Sequence, residues 1–262
     1  MLGGALPLAG CGVLITRPDG QAEGLAMRIA ELGGHPLLFP ALAIAAPADP
    51  VGLAHVIGEL PGYHLAIFIS PTSVERAWPL ILARHGGWPR AVVPAAVGPA
   101  SVRALETYIA QPILAAEDGA DSESLLALDA LNAVGGKRVL IVRGEGGREL
   151  LADTLRRRGA TVDYAECYRR VRPEADPAPL LALWRDGGVA AVTVTSREVF
   201  ANLTAMLGEA GAGLLRATPL FAPHQRIADA ARAWGVAEVI VTPPGDAGLV
   251  SGLVDWFNEP HG

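Results

Sequence analysis

The stretch VLITRPDGQAEGLAMRIAELGG at residues 13–34 decides the fold, because an altered copy, VLIVRGEGGRELLADTLRRRG, occupies residues 139–159. The two copies align without a gap at an offset of 126 residues. Identical residues at matched positions include Gly20 with Gly146, Glu23 with Glu149, Leu25 with Leu151, and Gly33 with Gly159. Because an internal repeat of this kind is a structural unit used more than once, the sequence predicts two similar lobes.

Each copy predicts a strand, a glycine-containing turn, a helix and a second strand. The opening residues are apolar and rich in Val and Ile, which is typical of a buried strand. In the first copy Leu25, Ala26 and Ile29 recur at the spacing of one helix face. Gly33 and its counterpart Gly159 then provide the left-handed residue that ends a helix.

Two further strand–helix units also repeat, each at an apparent offset of 125 residues. AIFIS at 66–70 resembles AVTVT at 191–195, and AAVGP at 95–99 resembles LFAPH at 220–224. Strands that alternate with helices in this way predict an α/β fold with parallel sheets. Such units wind right-handedly into a doubly wound sheet, which binds its ligands beyond the carboxyl ends of the strands.

The composition indicates a globular protein with a substantial core. Of 262 residues, 51% are hydrophobic and 18% are charged, which is the opposite of the balance in disordered chains. The net charge is −6 and the basic residues form no run, so nucleic acid is not expected as a partner. No apolar run reaches the roughly 18 residues of a membrane helix. Two cysteines without metal-ligand spacing fit a reducing compartment, so we expect a cytoplasmic, metal-free protein.

The carboxyl ends of the predicted strands carry the candidate binding residues. They are Thr16, Arg17, Ser70, Gly98, Arg143, Gly144, Thr195, Ser196 and His224. Two roles remain open for the matched arginines, which either hold a carboxylate of a ligand or cap their own sheet as surface residues. The hydroxyl side chains fit helix N-caps, ligand donors, or both at once.

Two other features leave alternatives open. The loop with Gly144, Gly146 and Gly147 lacks the spacing of nucleotide-binding loops, so it favours a tight turn over the weaker hypothesis of a nucleotide-binding enzyme. Residues 37–44 and 164–171 look like extended segments that pair as linkers, and the repeat order does not decide whether the domains are contiguous or exchange their first units. Tyr168 lies in the second segment, where an amphipathic tyrosine usually packs.

An ordered set of short motifs resembles the uroporphyrinogen-III synthase family over about residues 12–257. The motifs are ITRP (15–18), FISPTSV (68–74), AVGPAS (96–101), VRGEGGR (142–148), CYR (167–169), VTS (194–196) and PHQRIA (223–228). The resemblance implies two flavodoxin-like doubly wound parallel-sheet domains joined by a two-stranded connector, with the active site in the interdomain cleft. Domain 1 is then discontinuous, at residues 1–40 and 172–262, domain 2 spans residues 45–165, and residues 37–44 and 164–171 form the connector.

The resemblance also implies a reaction that needs no cofactor. Members of the family cyclise hydroxymethylbilane, a linear tetrapyrrole with eight carboxylates, to uroporphyrinogen III. Loss of the terminal hydroxyl as water gives an azafulvene, which the substituted position of ring D attacks to form a spiro intermediate. This intermediate opens and recloses with ring D inverted. Such an enzyme works mainly by positioning its substrate.

Site residues carry over by position. Tyr168 matches the family's candidate for assisting the departure of the hydroxyl, so we expect it to be catalytic. Positions that match the carboxylate-binding cleft are Thr16, Arg17, Ser70, Thr72, Gly98, Ser101, Arg143, Gly144, Thr195, Ser196 and His224. The alternative is a non-catalytic two-lobed tetrapyrrole-binding or sensor module, since no acid–base pair is obvious. We expect a monomer that contacts neither nucleic acid nor membrane and meets the preceding pathway enzyme transiently.

Overall fold

The duplicated stretch folds as a strand, a helix and a second strand. The first copy forms β1 (Gly12–Ile15), α1 (Glu23–Glu31) and β2 (His35–Leu38). In the computed structural model, which describes residues 6–117, 119 and 121–259, Leu25 and Ile29 form the buried face of α1. Gly33 follows with a φ of +85°, and Gly159 has a φ of +86° after the second copy's helix, so both predicted helix stops are confirmed.

The remaining elements alternate in the same manner. The middle of the chain contains β3 (Ala43–Ala45), α2 (Pro50–Gly58), β4 (Leu65–Phe68), α3 (Pro71–His85), β5 (Val93–Ala96), α4 (Pro99–Glu106), α5 (Ser122–Leu126), α6 (Asp129–Asn132), β6 (Arg138–Gly144), α7 (Leu150–Arg157) and β7 (Thr161–Val171). The last part contains α8 (Ala178–Arg185), β8 (Ala191–Thr193), α9 (Arg197–Ala217, broken at Gly208), β9 (Leu220–Ala222), α10 (Gln225–Trp234), β10 (Val239–Val241) and α11 (Gly245–Asn258).

The chain divides into two units, one of which is discontinuous. Unit 1 consists of the chain up to Ala43 and from Val171 onward, whereas unit 2 is the continuous stretch Ile44–Arg170. The strand order in the described residues is β10-β9-β8-β1-β2 in unit 1 and β3-β7-β6-β4-β5 in unit 2. Strand β1 runs parallel to β2 and β8, β6 runs parallel to β4 and β7, and the pairs β8–β9, β9–β10 and β4–β5 are also parallel.

Helices cover both faces of each sheet, because successive side chains of a strand point to opposite faces. In unit 1 one face packs on α8, α9 and α10 through Leu14, Val192, Leu181, Leu203 and Ala231, and the other packs on α1 and α11 through Val13, Ile15, Leu25 and Leu249. In unit 2 one face packs on α2, α3 and α4 through Phe68, Leu140, Ile57, Val74 and Leu105, and the other packs on α5, α6 and α7 through Ile67, Val139, Leu125, Leu131 and Leu155.

The pairing register corrects the predicted offset of the second and third repeat units. Val13 of β1 lies opposite Ala191, and its counterpart Val139 of β6 lies opposite Leu65. Leu65 and Ala191 are therefore equivalent, so the offset of 125 is wrong by one residue. Strands β5 and β9 agree with an offset of 126, because residue 94 pairs with residue 66 and residue 220 pairs with residue 192.

The corrected offset changes which residues match at the strand ends. Ser70 is now equivalent to Ser196, and Gly98 is equivalent to His224. Both pairs stand at helix N-caps, of α3 and α9 in the first case and of α4 and α10 in the second. The two units therefore share their helix starts as well as their strands.

The expected linker segments are partly regular sheet. Residues 37–38 belong to β2, and β7 pairs with β6 from Thr161 as far as Tyr168. Strand β3 is hydrogen-bonded to β7, and the chain passes between the units after Ala43 and after Arg170. Throughout the residues described, no helix is both long enough and apolar enough to cross a membrane.

Candidate functional site

Tyr168 stands at an irregularity near the carboxyl end of β7. Pairing with β6 is regular up to Arg143 opposite Glu166 and then shifts, so that Gly144 lies opposite Tyr168 and Cys167 is the extra residue of a β-bulge. Neighbouring side chains of a regular strand face opposite sides of the sheet. Cys167 and Tyr168 instead pack in the same core cluster. The bulge therefore redirects Tyr168.

The phenol ring of Tyr168 lies directly against the backbone of Gly144. A Cβ atom at residue 144 would come within 2.5 Å of Cε2 and 2.6 Å of Cζ of that ring. Glycine is required here because of this close approach. Tyr168 is 3% exposed, and its hydroxyl lies 3.3 Å from Oγ of Ser70. The ring of Tyr168 thus lies between the backbone of Gly144 and the core, and its hydroxyl faces Ser70, which follows β4.

Ser70 is the N-cap of α3 and belongs to a capping box. Its Oγ accepts the N–H of Ser73 at 3.1 Å, and Oγ of Ser73 accepts the N–H of Ser70 at 3.2 Å. Ser196 caps α9 in the same way and accepts the N–H of Val199 at 3.0 Å. Both serines therefore perform the capping role, which is compatible with the donor role that the sequence also left open. Thr72 and Thr195 lie beside them, both half-buried.

The starts of α4 and α10 form a second matched pair. Gly98 is the N-cap of α4 with a φ of +79°, and the exposed His224 is the N-cap of α10 with an extended backbone. Ser101 lies in the first turn of α4 and is buried. Because N–H groups at a helix start lack partners within the helix, these two starts suit carboxylates.

Thr16 and Arg17, expected to hold carboxylates, are engaged within unit 1. Thr16 is fully buried, and its hydroxyl donates to the backbone oxygen of Thr193 at 2.7 Å. Arg17 donates through Nη1 to Asp246 at 2.5 Å, and its side chain is 17% exposed. Both side chains tie the end of β1 to its own unit: Thr16 bonds to the end of β8, and Arg17 pairs with Asp246 of α11 instead of capping its sheet as a surface residue.

Arg143, the counterpart of Arg17, makes more hydrogen bonds to carboxylates than Arg17 does. Nε and Nη2 donate to Glu166 at 3.1 and 3.0 Å, and Nη1 donates to Glu149 at 2.9 Å. The guanidinium lies 3.7 Å from the ring centre of Tyr164, whose hydroxyl donates to Glu149. Two carboxylates surround one cation, so a substrate carboxylate would meet net negative charge here.

Electrostatics agrees with this closed arrangement. Burial opposes the charge of Arg143, but its hydrogen bonds to Glu149 and Glu166 outweigh burial and raise its pKa. Hydrogen bonds from Tyr164 and then Arg143 lower the pKa of Glu149. Desolvation and the hydrogen bond to Glu149 raise the pKa of the Tyr164 phenol. Each group is therefore held in the protonation state that the cluster needs.

A cavity at the carboxyl ends of β4, β5 and β6 is lined by Arg148, a residue of the VRGEGGR motif that was not among the expected binding residues. Its volume is about 340 Å³, and its walls include Ile69, Val97, Ser122, Gly146, Gly147 and Arg148. The side chain of Arg148 is 75% exposed and reaches Glu123 only at 3.8 Å. An arginine directly after the glycine turn that follows a strand was the available signal. Arg148 is better placed than Arg143 to meet an anion.

The neighbouring cysteine and the acidic groups suggest no further chemistry. Burial raises the pKa of the Cys167 thiol to about 12, and Sγ donates to the backbone oxygen of Arg143 at 3.2 Å. A thiol so far from ionisation is a poor nucleophile. In the part of the chain that the structure describes, His, Cys, Asp and Glu side chains form no group of three that could hold a metal ion.

Comparison with known proteins tests the resemblance directly. The family model described as uroporphyrinogen-III synthase HemD matches residues 23–251. The uroporphyrinogen-III synthase of Escherichia coli is 35% identical over 195 residues, covering 74% of this chain and 79% of that protein. The enzyme of the same name from Proteus mirabilis is 38% identical over 160 residues, covering 61% of this chain and 80% of that protein.

Two solved structures share the fold. A mutant uroporphyrinogen III synthase from Thermus thermophilus has a TM-score of 0.58 at 22% identity, covering 92% of this chain and 96% of that one. Uroporphyrinogen-III synthetase from Helicobacter pylori has a TM-score of 0.57 at 12% identity, covering 94% and 99%. The prediction of an enzyme is confirmed by the names of the relatives, and the alternative of a non-catalytic sensor gains no support. The match of the family model and the identity to these relatives agree that the chain belongs to the uroporphyrinogen-III synthase family.

Proposed function

We propose that this chain cyclises hydroxymethylbilane to uroporphyrinogen III, with loss of water and inversion of ring D. Family membership supports the reaction. The observation that carries the proposal is the phenol of Tyr168, which is fixed by a bulge and a glycine with its hydroxyl 3.3 Å from Ser70. A rigid donor at the carboxyl ends of parallel strands is suited to act on a bound substrate.

In the proposed first step Tyr168 assists the departure of the terminal hydroxyl. The carbon–oxygen bond breaks with both electrons on oxygen, which takes a proton from the phenol and leaves as water. The pyrrole nitrogen supplies the electron pair of the new double bond and gives up its own proton, which balances the proton donated by Tyr168. The azafulvene carbon then accepts the electron pair of the substituted position of ring D, which gives the spiro intermediate. The bond from that position to its original methylene breaks, and the freed methylene bonds to the unsubstituted position of ring D, which loses its proton, so that the ring closes with ring D inverted.

The substrate carboxylates are proposed to bind at helix starts beyond the strand ends of each unit. Thr72, Gly98, Ser101, Thr195, Ser196 and His224 remain the candidates, and we add Arg148 to them. Backbone N–H groups at these starts carry partial positive charge, which explains how a protein of net charge −6 binds a substrate with eight carboxylates. Thr16, Arg17 and Arg143 rank below these candidates, because the Thr16 hydroxyl, Nη1 of Arg17 and all three nitrogens of the Arg143 guanidinium already have hydrogen-bond partners. Ser70 and Gly144 lie against Tyr168.

The finer architecture is part of the same proposal. If the five strands of unit 1 are renumbered 1 to 5 in chain order, their order in the sheet is 2-1-3-4-5, which is the order of flavodoxin-like sheets. In unit 2, β7, β6, β4 and β5 are the repeat equivalents of β2, β1, β8 and β9, and they lie in the same order. We propose a discontinuous domain 1 and a continuous domain 2 joined through β3 and β7, with β7 assigned to domain 2. The division after Ala43 and Arg170 supports these boundaries.

We further propose a cytoplasmic monomer that needs no cofactor and meets the preceding enzyme of the pathway only transiently. Cys11 and Cys167 are both free thiols, which supports a reducing compartment.

Incubation of the purified chain with hydroxymethylbilane, followed by separation of the ring isomers, tests the reaction. We expect the type III isomer, and formation of type I alone would exclude the proposed function. Tyr168→Phe keeps the ring in place and removes the donor, so kcat should fall by about 100-fold. Tyr63→Phe is a matched control, since Tyr63 is also 3% exposed and donates to Asp163 at 2.8 Å, at the opposite end of β4. It should leave kcat within about twofold, in keeping with its structural hydrogen bond.

A further inference from the structure

The direction of the hydrogen bond between Ser70 and Tyr168 decides whether the phenol of Tyr168 can donate its own proton elsewhere. A serine hydroxyl has one proton and two lone pairs. One lone pair of Ser70 already accepts the N–H of Ser73, as the N-cap of α3. The phenolic oxygen of Tyr168 lies within reach at 3.3 Å, and the geometry permits either hydroxyl to donate.

The helix start favours Ser70 as the donor of this pair. The positive end of α3 and the bond from Ser73 both withdraw electron density from Oγ of Ser70. A hydroxyl polarised in this way is a better donor and a poorer acceptor, because hydrogen bonds in a chain reinforce one another. The phenolic oxygen then accepts from Ser70, and the phenol's own proton remains for another acceptor.

The ring itself is fixed by backbone features. The bulge at Cys167 turns Tyr168 to the face of the sheet that α3 covers, and the bare Cα of Gly144 lets the ring approach. With both features present, the hydroxyl lies 3.3 Å from Oγ of Ser70. Ring placement and proton direction are thus set by different residues.

We infer that Gly144 and Ser70 are positioning residues for Tyr168: Gly144 places the ring, and Ser70 donates to the phenolic oxygen so that the phenol directs its proton to the leaving hydroxyl of the substrate. The inference rests on the proposed function of Tyr168. It gives Ser70 a role in the rate of water loss, in place of the substrate-binding role expected from the family resemblance.

The other repeat copy provides the matched control. Ser196, the equivalent of Ser70, caps α9 by the same bond to the third residue of its helix. The residues that match Gly144 and Tyr168 at the offset of 126 are Pro18 and Leu42. Unit 1 therefore contains the same serine cap without the phenol, so a capping effect can be separated from an effect through Tyr168.

A double-mutant cycle on kcat and KM tests the inference. Ser70→Ala should lower kcat by about tenfold with KM within twofold, which is the effect of one ordinary hydrogen bond. Added to Tyr168→Phe, the same change should have no further effect on kcat. Ser70→Thr, which keeps the hydroxyl and the cap, should restore most of the rate. Ser196→Ala should change kcat and KM by equal factors in the Tyr168 and Tyr168→Phe backgrounds.

The outcomes are distinct. An equal loss of kcat from Ser70→Ala in both backgrounds, or no loss in either, would overturn the inference while leaving Tyr168 as the donor. Failure of Ser70→Thr to restore the rate would also overturn it, provided that thermal unfolding shows a folded chain. A normal kcat for Tyr168→Phe alone would remove Tyr168 from the role of donor, and the inference with it, whereas the proposed cyclisation itself is excluded only by formation of the type I isomer alone.

Discussion

The two copies of the duplicated unit, β1–α1–β2 and β6–α7–β7, have the same register and different chemistry. Residues 12–15 face residues 35–38 in the first copy, and the equivalent residues 138–141 face residues 161–164 in the second. Beyond this shared part, the second copy contains the bulge at Cys167, Gly144 and Tyr168, whereas the first contains Pro18 and Leu42 at the matched positions. A duplication has thus kept the scaffold and confined the proposed chemistry to one copy.

The matched arginines Arg17 and Arg143 also differ between the two copies, in the number of carboxylates that each one binds. Arg17 is paired with one carboxylate, Asp246, and Arg143 with two, Glu149 and Glu166. The second arrangement is closed around its cation, beside the bulge. A better supported strand end is what a precisely aimed side chain such as Tyr168 requires.

Among changes that test the difference between the two copies, the largest effect on kcat is expected from giving Gly144 a side chain. In Gly144→Ala the new Cβ displaces the ring of Tyr168, so kcat should fall about as far as in Tyr168→Phe, by about 100-fold. Gly135→Ala is the control, because a Cβ there meets only the backbone oxygen of Arg158 at 3.6 Å, and its kcat should stay within about twofold. A normal kcat in Gly144→Ala would show that the close approach does not matter.

Next in size is the difference between the two arginines. Arg143→Met leaves two carboxylates without their cation and should cost about 2 kcal/mol of unfolding free energy, whereas Arg17→Met should cost about 1 kcal/mol. Urea unfolding measures both. Because the pKa of Glu149 is lowered in the folded state, its contribution is present at neutral pH and is lost as the pH falls through that pKa. The cost of Arg143→Met should therefore shrink in acid, and a constant cost would contradict the ion-pair explanation.

The smallest effect concerns Thr16, which is equivalent to Val142 in the other copy. Thr16→Val keeps the shape and removes the buried hydrogen bond to Thr193, so unfolding should become easier by about 1 kcal/mol. Thr16→Ser retains the hydroxyl and serves as the control. If Thr16→Val lowered kcat with unchanged stability, Thr16 would return to the list of binding residues.

Local signals predicted the fold well and the site only in part. Periodicity and glycine placement predicted the strands, the helix stops at Gly33 and Gly159 and the parallel pairing. Both signals depend only on residues that are close in sequence. The offset of the later units was wrong by one because short apolar strands resemble one another after a one-residue slip. Partnerships such as Ser70 with Tyr168, 98 residues apart, depend on the bulge and the register, which no local pattern encodes.

The discontinuous unit has a consequence for the order of assembly. Strand β1 lies between β2 and β8 in its sheet, and Thr16 bonds to Thr193, which is 177 residues away. Unit 2 ends at Arg170 and β8 begins at Ala191, so the whole of unit 2 leaves the ribosome before β8 is available to pair with β1. Tyr168 can therefore be seated in unit 2 before β1, which is synthesised earlier than unit 2, pairs with β8, and closure of the unit 1 sheet becomes the slow, long-range step of folding.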